Sequence, residues 1–223
     1  MGRAHGQARY LTLLISLLLL ILIIPFVVAF RYGPVVMSIA GAIVTVAGTY
    51  AVSERKRLFV VTLIVAAAAL AINWLTLVFQ RGWAVIASDG LRLLLVGLFV
   101  VGILGDVLRR GRVSADKIFG AICVYLLIGT AWASAYAIIE SINPASFSGL
   151  EQTDKLGSTG QEMQLRYFSF ATMTTLGYGD ILPCSPGART LATLEAVTGQ
   201  IYLTVLIARL VGLNIASTSS HDD

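Results

Sequence analysis

Residues 172–180 read Thr-Met-Thr-Thr-Leu-Gly-Tyr-Gly-Asp, and the fold turns on what stands either side of them. Immediately before the glycines comes a short apolar run, 167–173, too short to cross a bilayer; beyond the stretch lies a long apolar block, 189–215. Gly177 and Gly179 alternate with Leu176 and Tyr178. Glycine reaches backbone dihedrals closed to other residues, so successive carbonyls there can point to one side. Irregular backbone at membrane depth is tolerated only when it is buried in protein or lines a cavity. The stretch therefore predicts a re-entrant segment.

The rest of the chain supplies the membrane context. Of 223 residues, 57% are hydrophobic and 13% charged, against about 25% charged in a soluble domain. Mean hydropathy is +0.84. Apolar blocks occupy 10–30, 34–52, 58–79, 91–108, 118–139 and 189–215, and about 20 apolar residues suffice to cross the hydrocarbon core. The predicted fold is an all-α membrane protein with six transmembrane helices plus a re-entrant helix at 163–174 and the loop after it. Arg3 and Arg9 precede the first block as they would a signal peptide. Its apolar run is longer than a signal core and no small-x-small cleavage site follows, so a retained helix is expected, kinked near Pro25. The shortage of polar residues excludes a disordered chain, and two cysteines exclude a disulfide-stapled secreted domain.

The basic residues report orientation. Arg3, Arg9, Arg55, Lys56, Arg57, Arg109, Arg110, Arg112 and Lys117 make nine of the sixteen Lys and Arg, and all share one side of a six-span arrangement. By the positive-inside rule both termini are cytoplasmic, in a cell membrane. The opposite short loops hold only Arg31 and Arg81, with Arg92 at a span edge. The cluster from Arg109 to Lys117 reads as topology, with contact to anionic membrane lipid as the functional alternative. Charge divided among short loops disfavours nucleic-acid binding. The stretch 140–189 carries Glu140, Glu151, Asp154, Glu162 and Asp180 against Lys155, Arg166 and Arg189. Within it, 143–160 is a predicted loop, and a mildly acidic outer mouth would concentrate cations.

With Thr175, Gly177, Tyr178, Gly179 and Asp180 at this spacing, the segment resembles the selectivity filter of the potassium-channel family, Thr-Val-Gly-Tyr-Gly followed by Asp. A dehydrated cation in a membrane needs a ring of oxygens in place of its water. The resemblance implies that K+, a permeant ion and no cofactor, is held by the carbonyls of Thr175, Leu176, Gly177 and Tyr178 and by the Thr175 hydroxyl. Leu176 and Tyr178 would then point into surrounding protein and hold the ring's diameter. The motif occurs once, so four chains must supply one copy each, which makes the partner a second, third and fourth copy of this chain. Thr174, Asp180 and Glu195 are the expected filter supports. Tyr167, Phe168 and Phe170 would pack the pore helix against the flanking spans, and its carbonyl end would favour a cation.

Two positions depart from the family. Leu176 replaces the commoner Val or Ile, and Ala171 stands where two-helix bacterial channels have a Glu that meets the Asp after the filter. Asp180 must therefore find other contacts. In the last span the run from Glu195 to Tyr202 resembles the family's inner helix, with Gly199 at the hinge position; close helix packing is the other reading of that glycine. Gln200, Leu203, Ile207 and Val211 fall on one helix face, and the last three would form a dewetting gate or simply pack against helix or lipid. Glu195 lies inside an apolar block and is read as a hydrogen-bonded buttress behind the pore helix rather than an ion contact. Arg209 is expected to snorkel to the interface.

The division expected is a four-helix N-terminal region at 1–113, a pore domain at 114–216 and a short cytoplasmic tail at 217–223. Six spans with a terminal pore also resemble voltage-gated channels, but between Leu93 and Val107 there is no basic residue. Strong voltage gating is not expected, and any ligand would act on the membrane part, the loops or a separate subunit. An enzyme is disfavoured because both histidines, His5 and His221, lie in the terminal tails. Cys123 and Cys184 fall about a membrane apart and cannot share a disulfide or a metal. The alternatives left open are a non-conducting regulatory subunit and a weakly selective cation channel.

Overall fold

The computed structural model describes residues 4–27, 33–79, 82–109, 114–150 and 157–219. Arg3, Arg31, Arg81, Arg110, Arg112, Glu151, Asp154, Lys155 and His221, named above, lie outside them. In chain order the elements are α1 (Ala4–Val27), α2 (Gly33–Ala51), α3 (Lys56–Phe79), α4 (Gly82–Val107), α5 (Ala115–Ile142), β1 (Phe147–Ser148), α6 (Gly157–Met173), β2 (Leu182–Pro183) and α7 (Pro186–Ser219).

Local chemistry sets several of these ends. Ser114 caps α5 by accepting from the Lys117 amide, and Asp116 in the first turn complements the positive end of the helix dipole. At its other end the Asn143 amide donates to the Ile139 carbonyl at 2.8 Å. α7 begins with Ser185, whose hydroxyl accepts from the Ala188 amide, followed by Pro186, which has no amide hydrogen to leave unpaired in the first turn.

Among the described residues, Lys56–Trp74, Ile86–Val107, Ala115–Ile142 and Pro186–Arg209 are long and apolar enough to cross a membrane. α1 and α2 contribute shorter apolar stretches, Arg9–Leu22 and Val35–Ala51. Four spans, rather than the expected six, are thus evident there. Outward-facing Leu22, Ile43, Val46, Ile64 and Val101 are exposed, as expected of surface that meets lipid tails rather than water.

Three boundaries differ from the sequence reading. α4 starts at Gly82 instead of 91, because Asp89 and Arg92 pair within the helix (3.5 Å) and so do not end it. The expected re-entrant helix, α6, starts at Gly157 instead of 163; its first turns are polar and hydropathy does not mark them. The expected loop 143–160 and the all-α class are both amended by a short antiparallel ribbon, with Phe147 opposite Pro183 and Ser148 opposite Leu182. In addition, α7 continues to Ser219, into the region expected to be a tail.

One apolar core runs through the first five helices, with Tyr10, Leu13, Phe99, Ile103, Val124 and Leu127 at its centre. α5 is therefore shared by the N-terminal helices and the pore segment. A Cβ on Gly48 would lie 2.5 Å from the Phe99 ring, so α2 and α4 approach closely only because Gly48 lacks one. A second core joins α5, β1, α6 and α7 through Tyr136, Phe147 and Phe168, whose rings meet edge to face at 5.2–5.3 Å. At the end of the bundle where the basic loops lie, Arg9 meets Glu54 at 2.7 Å, and Asp106 accepts from Arg55 and Tyr10, both at 3.1 Å. Arg9 and Arg55 are thus paired as well as topological.

Phe99→Ala is expected to cost about 3–5 kcal/mol through the cavity it leaves. Gly48→Val should cost about 1–3 kcal/mol by overpacking. Gly41→Val, where a Cβ meets nothing within 4 Å, is the neutral comparison; thermal unfolding in detergent reads all three.

Candidate functional site

The filter stretch leaves the C-terminus of α6 in an unusual backbone. Thr175 has φ +59°, Gly177 +53° and Gly179 +80°. Positive φ at a β-branched residue is rare and costs about 1–2 kcal/mol, so Thr175 is held there by its surroundings. Left-handed residues at alternate positions send amide hydrogens to one side and carbonyls to the other. The amides confirm the direction: those of Leu176 and Gly177 both donate to the Ala171 carbonyl, at 2.9 and 3.2 Å. The Thr175 amide donates to Thr172 and that of Thr174 to Phe170, whose carbonyl also accepts from the Thr174 hydroxyl at 2.6 Å. The last carbonyls of α6 are thus satisfied by the filter's own amides.

A Cβ on Gly177 or Gly179 would meet nothing within 4 Å in the single chain. Their requirement is conformational rather than spatial. Leu176 and Tyr178 do not enter the core of their own chain; they are 52% and 71% exposed.

Behind the filter, Glu195 of α7 has no exposed surface. It accepts from the hydroxyls of Tyr136 on α5 and Ser169 on α6, and Ser169 Oγ also lies 2.7 Å from the Gly129 carbonyl. One carboxyl group therefore joins the outer helix, the pore helix and the inner helix. Gly129 admits the Phe170 ring, since a Cβ there would lie 2.7 Å from it. α7 passes Gly199 without a break, and a Cβ on Gly199 would lie 2.6 Å from Met173 Cγ and 2.9 Å from the Met173 carbonyl oxygen. Of the two readings of Gly199, close packing against the base of the filter is the one seen in this conformation.

The Tyr167 side chain stands near the Asp180 carboxylate and interacts with it electrostatically. Tyr167 precedes Ala171 by one helical turn, so it projects from the same face as the absent Glu. Of the three aromatic residues expected to pack α6, Phe168 and Phe170 do so, whereas Tyr167 is exposed. The outer loop is tied down as well. Glu140 accepts from the amides of Ala145 and Phe147, and Ser146 O accepts from Cys184 at 2.7 Å. Gly149, with φ +82°, sits so close that a Cβ would lie 1.9 Å from the Asp180 carbonyl oxygen.

Along α7, Tyr202 and Leu206 pack on the core, and the Tyr202 hydroxyl donates to Ala121 O at 2.6 Å. Gln200, Ile207 and Val211 are exposed and Leu203 is half-buried. Arg209, expected to snorkel, donates to the Leu108 carbonyl at the end of α4. Cys123 is buried and Cys184 exposed, both as free thiols.

A family profile described as Ion channel matches residues 118–215. The match takes in α5 through α7 and less than half of the chain, and over that stretch the chain is similar to ion channels. A curated relative, the inward rectifier potassium channel Kirbac3.1 of Paramagnetospirillum magnetotacticum, is 37% identical over 86 residues. That alignment covers 37% of this chain and 24% of the relative, so the chain spans about a quarter of that protein's length. No solved structure matches. Both matches are to channels rather than enzymes and support a potassium-channel family, and the apolar helices make this a membrane protein.

Sequence reasoning missed Tyr136 and Ser169, and it did not assign Glu140 and Gly149 their part in fastening the outer loop. The signal for the first two was present: polar residues inside apolar blocks need partners. Which partner each takes is tertiary information.

Glu195→Ala should leave the buried Tyr136 hydroxyl unpaired, at about 1–3 kcal/mol, while Ser169 keeps the Gly129 carbonyl; Glu195→Gln keeps a partner for both and should cost less. Thermal unfolding in detergent measures the difference. Tyr167→Phe and Asp180→Asn should shorten the open state in the same direction in single-channel records, and combining them should add little, because both weaken one contact.

Proposed function

We propose that this protein is a potassium-selective channel that conducts K+ passively through a homotetrameric pore in the cell membrane. The observation that carries the reading is the filter backbone: left-handed residues at 175, 177 and 179 with the amides of 176 and 177 turned toward Ala171. The carbonyls of Thr175, Leu176, Gly177 and Tyr178 and the Thr175 hydroxyl face the opposite way and supply the ligands. A single such strand encloses nothing, so four chains surround the ion. Exposed Leu176 and Tyr178 support this, as do exposed Leu194, Val197, Ile201 and Val205 on α7, since these side chains are left to neighbouring subunits.

Both termini lie on the cytoplasmic side, following the basic loops. Leu203, Ile207 and Val211 line the inner entrance and gate it by dewetting. Voltage dependence is weak. Arg92, the basic residue of α4 within its candidate span, is paired with acidic groups and no ladder follows it. Membrane lipid is the surrounding partner, and the split positive charge leaves no nucleic-acid surface.

Purified protein in liposomes should pass K+ in preference to Na+, and Gly177→Ala should abolish that flux, because alanine is strained at φ +53°. Equal K+ and Na+ flux would replace this reading with a weakly selective cation channel. Absence of flux across a range of pH, lipid and voltage would replace it with a regulatory subunit.

A further inference from the structure

The N-terminal helices are joined to the pore segment by more than chain continuity. Only residues 108–114 separate α4 from α5, and so short a connection makes them neighbours within one subunit. They share a core through Phe99, Ile103, Val124 and Leu127. Toward the opposite end of α4 there is a second junction, made of charges. Arg92 Nη1 lies 2.6 Å from Glu162 Oε2 on α6, across 70 positions of sequence, and 3.5 Å from Asp89 Oδ1 one turn earlier on α4. Asp89 is 1% exposed, Glu162 18% and Arg92 28%. Arg166, one turn beyond Glu162, feels the same carboxylate and Arg92.

A half-buried ion pair is screened little by solvent, and removing one member leaves the other uncompensated. The pair therefore constrains position. Glu162 stands two helical turns before Ser169, on the same face of α6. Ser169 is held by Glu195, and two residues after it the Ala171 carbonyl holds the amides of Leu176 and Gly177. A helix transmits a displacement of one end to the other, so whatever fixes Glu162 helps to fix the peptide planes of the filter.

We propose that Arg92 is a positioning residue for the filter: through Glu162, the outer part of α4 braces the pore helix, and the four N-terminal helices thereby act on the filter directly. The inference rests on the channel reading above. It also accounts for a basic residue on α4 without a charge ladder, since a brace needs one charge and a voltage sensor needs several.

The test is a double-mutant cycle in the full-length reconstituted protein: Glu162→Gln, Arg92→Gln and the pair together. The readout is the decline of K+ current at low external K+, a decline that added K+ slows when it arises from a filter losing its ions. Each single variant should speed the decline about tenfold, and the double should be no faster than either single. Arg92→Lys, which keeps the charge and loses the planar fork, should fall between. If Arg92→Gln does not assemble because Asp89 is left without its cation, the cycle is closed with Arg92→Lys and decides in the same way. Additive effects, or a Glu162→Gln channel that declines like wild type, overturn the proposal. So does a loss of thermal stability without any change in the decline. Selective flux through the wild-type protein tests the channel reading separately, so failure of the cycle leaves that reading standing.

Discussion

Turning the amides of Leu176 and Gly177 toward the Ala171 carbonyl is the constraint on which the rest of this molecule depends. With those amides committed to the end of the pore helix, the carbonyls have one side left to face. A left-handed Thr175 is unfavourable by itself. It persists because its neighbours in sequence are hydrogen-bonded into α6 and because α6 is held from behind. The two glycines make the same conformation inexpensive at 177 and 179.

What holds α6 is distributed over every surrounding element. The Glu195 carboxyl gathers Tyr136 and Ser169 in a buried place, where an unsatisfied polar group is costly and a satisfied one specifies a unique arrangement. Gly129 and Gly199 let α5 and α7 come close to it. On the outer side, the β1–β2 ribbon, the Glu140-capped turn and Gly149 fasten the chain leaving the filter to the chain entering α6. Tyr167 stands near Asp180, on the face of α6 that Ala171 leaves without a polar side chain. The filter itself contributes little packing, so its shape is borrowed from this frame. That is consistent with Leu176 and Tyr178 remaining exposed in the single chain, as the proposed tetramer requires.

Much of this was legible in the sequence because the bilayer simplifies the reading. Apolar blocks give helices, and a Gly-Tyr-Gly run between two of them is hard to place as anything but a re-entrant loop. Glu195 was recognisable as a buttress because a carboxyl inside an apolar block must be partnered. Boundaries were less legible. Hydropathy starts the fourth span at 91 because Asp89 looks costly singly, although it pairs with Arg92 across one turn. It missed the first turns of α6 because that helix is stabilised by its neighbours rather than by an apolar face of its own. Two-residue strands leave no period to detect, so the ribbon at the outer mouth was read as loop.

Local sequence alone determined the chemistry of the filter: a threonine, two glycines and a tyrosine whose backbone can present oxygens in a row, within a chain too apolar for water. These are properties of single residues and their immediate spacing, and they survive without knowledge of any partner. Only the tertiary structure decided which groups hold that backbone in place. Tyr136 finding Glu195 across 59 positions and Arg92 finding Glu162 across 70 are pairings between separate helices. A hydrogen bond or ion pair is set by the distance between atoms in space, and sequence spacing constrains that distance only within one helix or one turn.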